Sequence, residues 1–314
     1  MITTRGLART FKGRGGEVNA VRGVDIDVAE GEIVGFLGPN GAGKTTTLRM
    51  LTTLLAPTAG TATVAGHDLR TDPDGVRRDI GYVAQGSSTE RTATVREELL
   101  DQAALYRMPR AAAVARTAEL IRDFELDGFD DKLIKEISGG QKRRLEVALG
   151  MVHSPKLVFL DEPTTGLDPQ SRANLWQHVR NLRDNLGSTV FITTHYLEEA
   201  DALCDRVLIL DEGTIIASGT TAELKEQNGG DVIAFTFAGE PGTAHATLAE
   251  LLPDAPIEVD HHTVRVTVPD GDQRLPELFR ELEARGLTIT ATQLTRPSLD
   301  DVFLSLTGRS LRDA

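Results

Sequence analysis

A glycine-rich loop decides the fold of this chain, and it reads Gly38-Pro39-Asn40-Gly41-Ala42-Gly43-Lys44-Thr45-Thr46. The apolar stretch from Gly31 to Leu37 predicts a strand before it, and the stretch from about Lys44 to Leu54 predicts a helix after it. The glycines let the backbone curl so that successive N–H groups point at phosphate oxygens. Lys44 supplies a positive charge to those oxygens, and the Thr45 hydroxyl is placed to ligate Mg²⁺. The sequence therefore predicts a phosphate-binding loop between a strand and a helix.

A second turn that suits a phosphate lies further along the chain, at Ile137-Ser138-Gly139-Gly140-Gln141. A Ser-Gly-Gly turn that opens a helix presents a hydroxyl and free backbone N–H groups to an anion. Because the chain already has a complete phosphate loop, we expect this Ser138 turn to serve the nucleotide of a neighbouring molecule. A dimer is therefore part of the prediction.

Two acids follow a buried strand shortly after the Ser138 turn. The apolar run Leu157 to Leu160 ends in Asp161 and Glu162, and Pro163 follows. A strand of this kind delivers its last side chains to the edge of a sheet, where ligands bind. We expect Asp161 to partner Mg²⁺ through water, and Glu162 to be the general base for an attacking water.

Composition excludes several classes of protein. The 314 residues are 40% hydrophobic, enough for about two domains. A net charge of −13 and a pI of about 5.0 disfavour binding to nucleic acid or to anionic lipid. The apolar runs are far shorter than the roughly eighteen residues of a membrane helix, and no secretory signal opens the chain. With a single cysteine, Cys204, which we interpret as a small buried residue, the chain is expected to be cytoplasmic.

Strand and helix patterns alternate through most of the first two thirds of the chain. This alternation predicts an α/β fold with a largely parallel sheet covered on both faces. The strands that follow the phosphate loop are predicted near Gly60 to Val64, Ile80 to Val83, Lys156 to Leu160, Thr189 to Thr194 and Arg206 to Leu210. Helices are predicted around Gln170 to Asn185 and Leu197 to Leu203. Between about residues 88 and 150 the sequence is mostly helical, which predicts a helical subdomain inserted into the α/β domain.

A second domain is predicted after the polar, glycine-rich stretch Glu226 to Asp231. We place the first domain at residues 1–225 and an accessory or regulatory domain at residues 231–314. The order strand, helix, two strands, helix, strand in the second domain is that of a small ferredoxin-like α+β sandwich. In a last helix, Leu299, Val302, Phe303 and Leu306 share one face. This stripe either packs onto its own domain or docks on a partner.

These motifs, in this order, resemble an ATP-binding-cassette (ABC) ATPase. The resemblance spans about Leu7 to Glu223 and departs at one position, where the family's signature turn usually begins with leucine and this chain has Ile137. It implies a P-loop NTPase core of RecA-like type with antiparallel β and helical subdomains. It also implies ATP and Mg²⁺ as ligands, and ATP hydrolysis coupled to transport.

The resemblance also assigns roles to single residues. It implies that His195 contacts the γ-phosphate, although an isolated histidine is more often structural, and that Gln85 touches Mg²⁺ and water. Phe11 would stack on adenine or be a core residue of the first strand. The ATP-binding residues are then Phe11, Gly38, Pro39, Asn40, Gly41, Ala42, Gly43, Lys44, Thr45, Thr46, Ser138, Gly139, Gly140, Gln141 and Asp168. The catalytic residues are Lys44, Gln85, Glu162 and His195, and the Mg²⁺ residues are Thr45, Gln85 and Asp161.

Two stretches resemble more narrowly the ATP-binding subunits of daunorubicin-resistance drug exporters, namely Gln141 to Glu146 and Pro297 to Gly308. This implies two chains that sandwich ATP in a homodimer, bound at the cytoplasmic face of the membrane to separate integral-membrane permease subunits. The transported molecule, drug or other amphiphile, is not specified by the sequence. The alternatives are an exporter or importer of lipid, polysaccharide or ion, a soluble cassette that acts on ribosomes or DNA, and a non-catalytic regulatory cassette.

Overall fold

The computed structural model describes residues 1–13, 16–86, 89, 92–227, 230–239 and 241–307. The chain divides into two compact units, Met1–Ser218 and Gly219–Ala314. A helix at Thr221–Gln227 thus lies in the second unit, upstream of the boundary that the sequence predicts. Of the predicted linker, Asn228 and Gly229 lie outside the described residues, and Asp231 begins a strand.

The first unit is built on a sheet whose described strands are β4 (Ile33–Leu37), β7 (Ile80–Val83), β8 (Leu157–Asp161), β9 (Thr189–Thr194), β10 (Arg206–Asp211) and β11 (Thr214–Gly219). They lie side by side in the order β11-β10-β4-β9-β8-β7. The pairs from β10 to β7 are parallel. Every residue of β4, β8 and β9 is buried, as expected for a parallel sheet covered on both faces.

Helices cover this sheet and form the predicted helical insertion. Around the sheet lie α1 (Lys44–Leu51), α2 (Pro73–Asp79), α6 (Pro169–Asp184) and α7 (Leu197–Leu203). The insertion contains α3 (Val95–Leu105), α4 (Arg110–Asp123), a 3₁₀ turn (Ile134–Glu136) and α5 (Gly139–Gly150). Its predicted first residue, Ser88, lies outside the described residues. Helix α1 ends earlier than predicted, and Thr53, just beyond it, has a φ of +63°.

An antiparallel sheet completes the first unit. It contains β1 (Ile2–Gly13), β2 (Gly16–Val24), β3 (Asp27–Val28), β5 (Ala59–Val64) and β6 (His67–Asp68). The described strands pair in the order β2-β1-β5-β6, with β3 also on β1. This is the antiparallel β subdomain that the resemblance implies.

The central strands send alternate side chains into two apolar cores. On β8, Val158 and Leu160 join one core, whereas Leu157 and Phe159 join the other. Phe159 lies against Phe191 of β9, with ring centroids 5.7 Å apart. Packing on both faces holds the ends of β4, β8 and β9 side by side, and the phosphate loop, the two acids and His195 follow those ends.

The second unit has the predicted ferredoxin-like arrangement. Its elements are α8 (Thr221–Gln227), β12 (Asp231–Phe237), α9 (Gly242–Leu251), β13 (Ile257–Asp260), β14 (Thr263–Val268), α10 (Gly271–Ala284), β15 (Ile289–Thr295) and α11 (Leu299–Thr307). The strands form an antiparallel sheet in the order β13-β14-β12-β15. Ile233, Phe235 and Val266 lie in its core.

Helix α11 contacts α8 within the second unit. Three residues of the predicted apolar stripe, Leu299, Val302 and Phe303, are buried, but Leu306 is 47% exposed. The stripe is therefore mostly an internal packing surface.

Candidate nucleotide site

The phosphate loop joins β4 to α1, and two of its glycines have no room for a side chain. A Cβ on Gly38 would lie 2.3 Å from the carbonyl oxygen of Leu210, and a Cβ on Gly43 would lie 2.5 Å from that of Ala20. Gly43 also has a φ of +108°, which glycine adopts without strain. Asn40 and Gly41 form an exposed tip. The loop is thus clamped at both ends against neighbouring backbone.

Lys44 is buried at the first position of α1, with 5% of its side chain exposed. Its Nζ donates to the carbonyl oxygens of Gly38, at 2.7 Å, and Pro39, at 3.1 Å. Nζ also lies 3.5 Å from Glu162 Oε1. Burial lowers the pKa of Lys44, while the nearby Glu162 carboxylate acts in the opposite direction.

Asp161 ends β8 and faces the start of α1. Its Oδ1 accepts a hydrogen bond from Thr193 Oγ1 at 2.6 Å and a longer one from Thr45 Oγ1 at 3.4 Å. Burial raises the pKa of Asp161, and the hydrogen bond from Thr193 opposes that rise. The structure thus brings together Thr45 and Asp161, two of the three residues expected at Mg²⁺.

Glu162 has an unusual backbone conformation, with a φ of +44°. Its N–H donates to the Thr193 carbonyl oxygen at 3.1 Å and lies 3.0 Å from Thr193 Oγ1, which anchors the residue to β9. Its Oε2 accepts from Gln85 Nε2 at 2.8 Å and from Thr165 Oγ1 at 3.3 Å. Strained backbone of this kind persists where surrounding contacts hold it, as these do.

His195 follows β9 and lies beside the same carboxylate. Its Nδ1 is 3.2 Å from Glu162 Oε2, but the two atoms are not aligned for a hydrogen bond. His195 therefore joins a group of expected site residues that we call the Lys44 cluster. The cluster consists of Lys44, Thr45, Gln85, Asp161, Glu162 and His195.

The Ser138 turn is an N-terminal helix cap at a different place in the unit. Ser138 Oγ accepts from the Gln141 N–H at 3.2 Å, and the Gln141 side chain accepts from the Ser138 N–H at 2.8 Å. Ser138 and Gly139 are exposed, and a Cβ on Gly139 would meet nothing within 4 Å. Among the described contacts, none joins this turn to the Lys44 cluster.

Asp168 lies next to the Ser138 turn rather than in the Lys44 cluster. It caps α6 by accepting from the backbone N–H and the hydroxyl of Ser171, at 2.9 and 2.7 Å. A Cβ on Gly140 would lie 2.6 Å from that Ser171 hydroxyl, so the two helix starts touch closely. Together they line a cavity of about 230 Å³ formed by Glu125, Ser138, Gly140, Gln141, Arg144, Gln170, Ser171 and Asn174.

Phe11 lies on β1, opposite Val18 of β2, and 38% of it is exposed. The Arg9 guanidinium stands 4.7 Å from the centre of its ring. Phe11 is thus a surface ring and not a core residue.

Two residues of the site were not anticipated from the sequence. Thr193 holds both Asp161 and the backbone of Glu162. Arg143 of α5 is buried and donates to the backbone on both sides of Glu162. The position of Thr193, two residues before His195, was a usable signal for the first. The contacts of Arg143 near Glu162 are to backbone carbonyls, which carry no sequence signal.

Comparison with known proteins agrees with this geometry. The family described as ABC transporter matches residues 21–165, and residues 219–307 match the C-terminal domain of DrrA1-3-like ATP-binding proteins. The daunorubicin/doxorubicin resistance ATP-binding protein DrrA of Streptomyces peucetius is 43% identical over 99% of this chain and 94% of its own length. The chain belongs to the ABC transporter ATP-binding proteins. The Nod factor export ATP-binding protein I of Burkholderia lata is 39% identical over 97% of both chains.

A solved ABC cassette shows the same fold. The dimeric cassette MJ0796 bound to ADP and Pi has a TM-score of 0.64 and 26% identity, over 70% of this chain and 98% of its own. The P-loop fold and the drug-exporter resemblance are therefore confirmed, and the chain is an ATP hydrolase coupled to transport as a subunit of an ABC exporter. Within the part of the chain that the structure describes, no helix combines the length and apolar character needed to cross a bilayer.

Proposed function

We propose that the chain binds ATP at the Lys44 cluster and hydrolyses it with Glu162 as the general base. The observation that supports this most directly is the buried Glu162 carboxylate, held by Gln85 and Thr165 and lying 3.5 Å from Lys44 Nζ. A general base must be held near the water that attacks the phosphate, and this carboxylate is held beside the phosphate loop. The base accepts a proton from water as the water attacks the γ-phosphate, which gives ADP and phosphate.

The residues around Asp161 fit Mg²⁺. The Thr45 hydroxyl, the Asp161 carboxylate and the Gln85 amide offer the hard oxygen atoms that this ion prefers. Burial raises the pKa of Asp161, so a cation beside it would offset the cost of its charge. Bound there, Mg²⁺ would supply positive charge that offsets the negative charge of the phosphates.

His195 and Phe11 complete the proposed site. His195 would contact the γ-phosphate and orient the water, and its position beside Glu162 Oε2 supports this role. Phe11 presents an exposed ring for the adenine base, with the Arg9 guanidinium over one face of that ring.

The Ser138 turn serves the ATP of a second copy of the chain. It has an exposed hydroxyl, open space at Gly139 and the free N–H groups of a helix start, but it lies apart from the Lys44 cluster. Two chains arranged head to tail would place each Ser138 turn on the other chain's nucleotide. ATP then favours the closed dimer, because the γ-phosphate makes contacts that ADP lacks.

Closure of this homodimer would drive a separate integral-membrane permease, to which the chain binds at the cytoplasmic face. The named relatives confer daunorubicin and doxorubicin resistance or export Nod factor. We therefore propose efflux of a drug or another amphiphilic small molecule. The second unit would act as an accessory or regulatory domain.

Replacing the proposed base tests this function. Glu162→Gln should bind ATP with unchanged affinity, hydrolyse it about 10²- to 10⁴-fold more slowly and accumulate an ATP-dependent dimer. Size-exclusion chromatography with and without ATP measures the dimer, and phosphate release measures turnover. Wild-type turnover in Glu162→Gln would reject Glu162 as the base. Drug-stimulated turnover of the chain reconstituted with its permease tests the transported class.

A further inference from the structure

Arg143 ties three separate segments of the first unit together. It lies on α5, five positions after Ser138, and is only 6% exposed. Its guanidinium donates to the carbonyl oxygens of Pro163 at 2.6 Å, Ala84 at 2.9 Å and Asp161 at 3.3 Å. Its charge is balanced by Glu146, whose Oε2 accepts at 2.7 Å.

These carbonyls surround the proposed catalytic side chains. Asp161 and Pro163 are the residues on either side of Glu162, and Ala84 directly precedes Gln85. One guanidinium therefore holds the backbone at both flanks of the base and next to the glutamine that contacts it. Because Glu162 has a φ of +44°, its carboxylate position depends on these flanks being held.

Helix α5 connects this contact to the Ser138 turn. The turn is capped at the start of the helix, and at the other end a Cβ on Gly81 of β7 would lie 2.4 Å from the Gly150 carbonyl oxygen. The C-terminal end of α5 is thus closely packed against β7, whereas its N-terminal end at Ser138 is exposed to solvent. A displacement at Ser138 would be carried along a rigid element to Arg143 within the same chain.

We propose that Arg143 is a positioning residue that couples the Ser138 turn to Glu162 of the same subunit. This rests on the proposed roles of Ser138 and Glu162. When ATP bound to the partner contacts Ser138, helix α5 takes up a fixed position. Arg143 then holds the backbone on both sides of Glu162, so that the carboxylate is oriented toward the ATP of its own subunit. Each nucleotide thereby promotes hydrolysis of the other. Arginine suits this position because its planar fork carries several donors in fixed directions, whereas lysine has a single ammonium group.

Arg143→Gln in the full-length chain tests the proposal, with Arg122→Gln on the exposed surface of α4 as the matched control. We expect Arg143→Gln to keep its affinity for ATP within about twofold and to lose about 10- to 100-fold in kcat. The Hill coefficient of turnover against ATP concentration should fall toward one. Arg143→Lys should recover part of both, and Arg122→Gln should match the wild type.

A second variant separates positioning from charge balance. The single variant Arg143→Gln leaves the Glu146 carboxylate buried without its counter-charge and could fold poorly for that reason. Arg143→Gln/Glu146→Gln removes both charges of the ion pair and avoids this problem. We expect the double variant to fold and to keep the low kcat and the low Hill coefficient. Wild-type kinetics in the double variant would show that Arg143 only balances Glu146, and would overturn the proposal.

Two further results would decide against the coupling. Loss of turnover with a wild-type Hill coefficient would overturn it, because Arg143 would then act only within one site. Wild-type kinetics in Arg143→Gln beside an inactive Glu162→Gln would overturn the role of Arg143 and leave the proposed function intact. If instead Glu162→Gln turned over normally, the proposed function itself would fail.

Discussion

Lys44 Nζ lies 3.5 Å from Glu162 Oε1, and both side chains are almost fully buried, at 5% and 6% exposed. This pair joins the phosphate loop to the strand that carries the acids. Asp161, next in sequence, is also buried, so two carboxylates share one ammonium group in a place with little water. Removing the Lys44 charge would leave both carboxylates without their shared counter-charge, whereas removing the Glu162 charge would leave Lys44 beside Asp161. The site should therefore tolerate loss of the ammonium group least.

Mixing two inactive variants tests whether the site is shared between chains. Lys44→Ala damages the phosphate loop, and Ser138→Arg blocks the exposed turn, so each variant alone should have less than about a tenth of wild-type turnover. In a mixed head-to-tail dimer, the intact Lys44 of one chain meets the intact Ser138 of the other. Random pairing makes half of the dimers mixed, and we expect turnover to recover to at most about a quarter of the wild-type rate.

The control for this mixture is a pair of variants damaged at the same place. Lys44→Ala mixed with Lys44→Met has no intact composite site in any dimer and should stay inactive. Turnover of the unlike mixture that never exceeds that of its two components would contradict the shared site.

Asp161→Asn should stabilise the chain in the absence of nucleotide while abolishing hydrolysis. Burial raises the pKa of Asp161 because its charged form is poorly solvated. An amide removes that charge and can still accept from Thr193 through its oxygen. We expect the melting temperature to rise by about 2–4 °C near neutral pH, corresponding to roughly 1 kcal/mol. Asp101→Asn, at an exposed position on α3, should leave it unchanged.

The rise in melting temperature caused by Asp161→Asn should also depend on pH. The pKa of Asp161 in the folded chain lies above its ordinary value of 3.8, so the folded state keeps this proton to higher pH than the unfolded state. Wild-type stability therefore falls as pH rises between the two values, and the penalty is complete above the folded pKa. Melting curves should show a larger gain at about pH 8 than at about pH 4. A gain independent of pH would show that the Asp161 charge is not its cause.

The central sheet, the phosphate loop and the two acids were predictable because their signals are local, whereas Gln85 and His195 were expected at the site only from the family resemblance. The run predicted as a strand from Thr189 to Thr194 is apolar in its middle and polar at its ends. Strand β9 begins at Thr189 and ends at Thr194, as predicted. The acids, the histidine and the glycine loop each follow such a run, and parallel strands bring their ends to one edge. Predicting the parallel strands therefore also predicts that the residues directly after them lie close together.

Other features depend on distant contacts and were not predictable. Arg143 reaches the backbone carbonyls of Ala84 and Pro163, which are 59 and 20 residues away in sequence, and no local pattern predicts these two contacts. Strand β11 and helix α8 were not predicted, since both are short and only partly buried. Helix α10 starts at Gly271, whereas the sequence predicts its start four residues later, at Leu275. It contains Pro276, and proline usually marks the first turn of a helix.

Phe11→Ala should weaken ATP binding if the exposed ring stacks on the base. Loss of stacking costs about 1 to 3 kcal/mol, so we expect at least about a fivefold rise in Kd. Phe11→Tyr should bind normally, and GTP should lose affinity in the same proportion, because stacking is tolerant of the base. Val18→Ala, on the strand opposite, is the matched control, since Val18 is 63% exposed. An equal loss in Val18→Ala would attribute the effect to the β1–β2 hairpin instead.

Phe303→Ala and Leu306→Ser divide the stripe of α11 into its buried and exposed parts. Phe303 is fully buried, and truncating a buried phenylalanine costs about 3–5 kcal/mol, whereas the 47% exposed Leu306 should contribute little. We expect Phe303→Ala alone to lower the melting transition. Far-UV circular dichroism is the readout, because the chain's only tryptophan, Trp176, lies in the first unit. Loss of co-purification with the permease in Leu306→Ser, at an unchanged melting temperature, would instead show that the exposed edge of the stripe binds a partner.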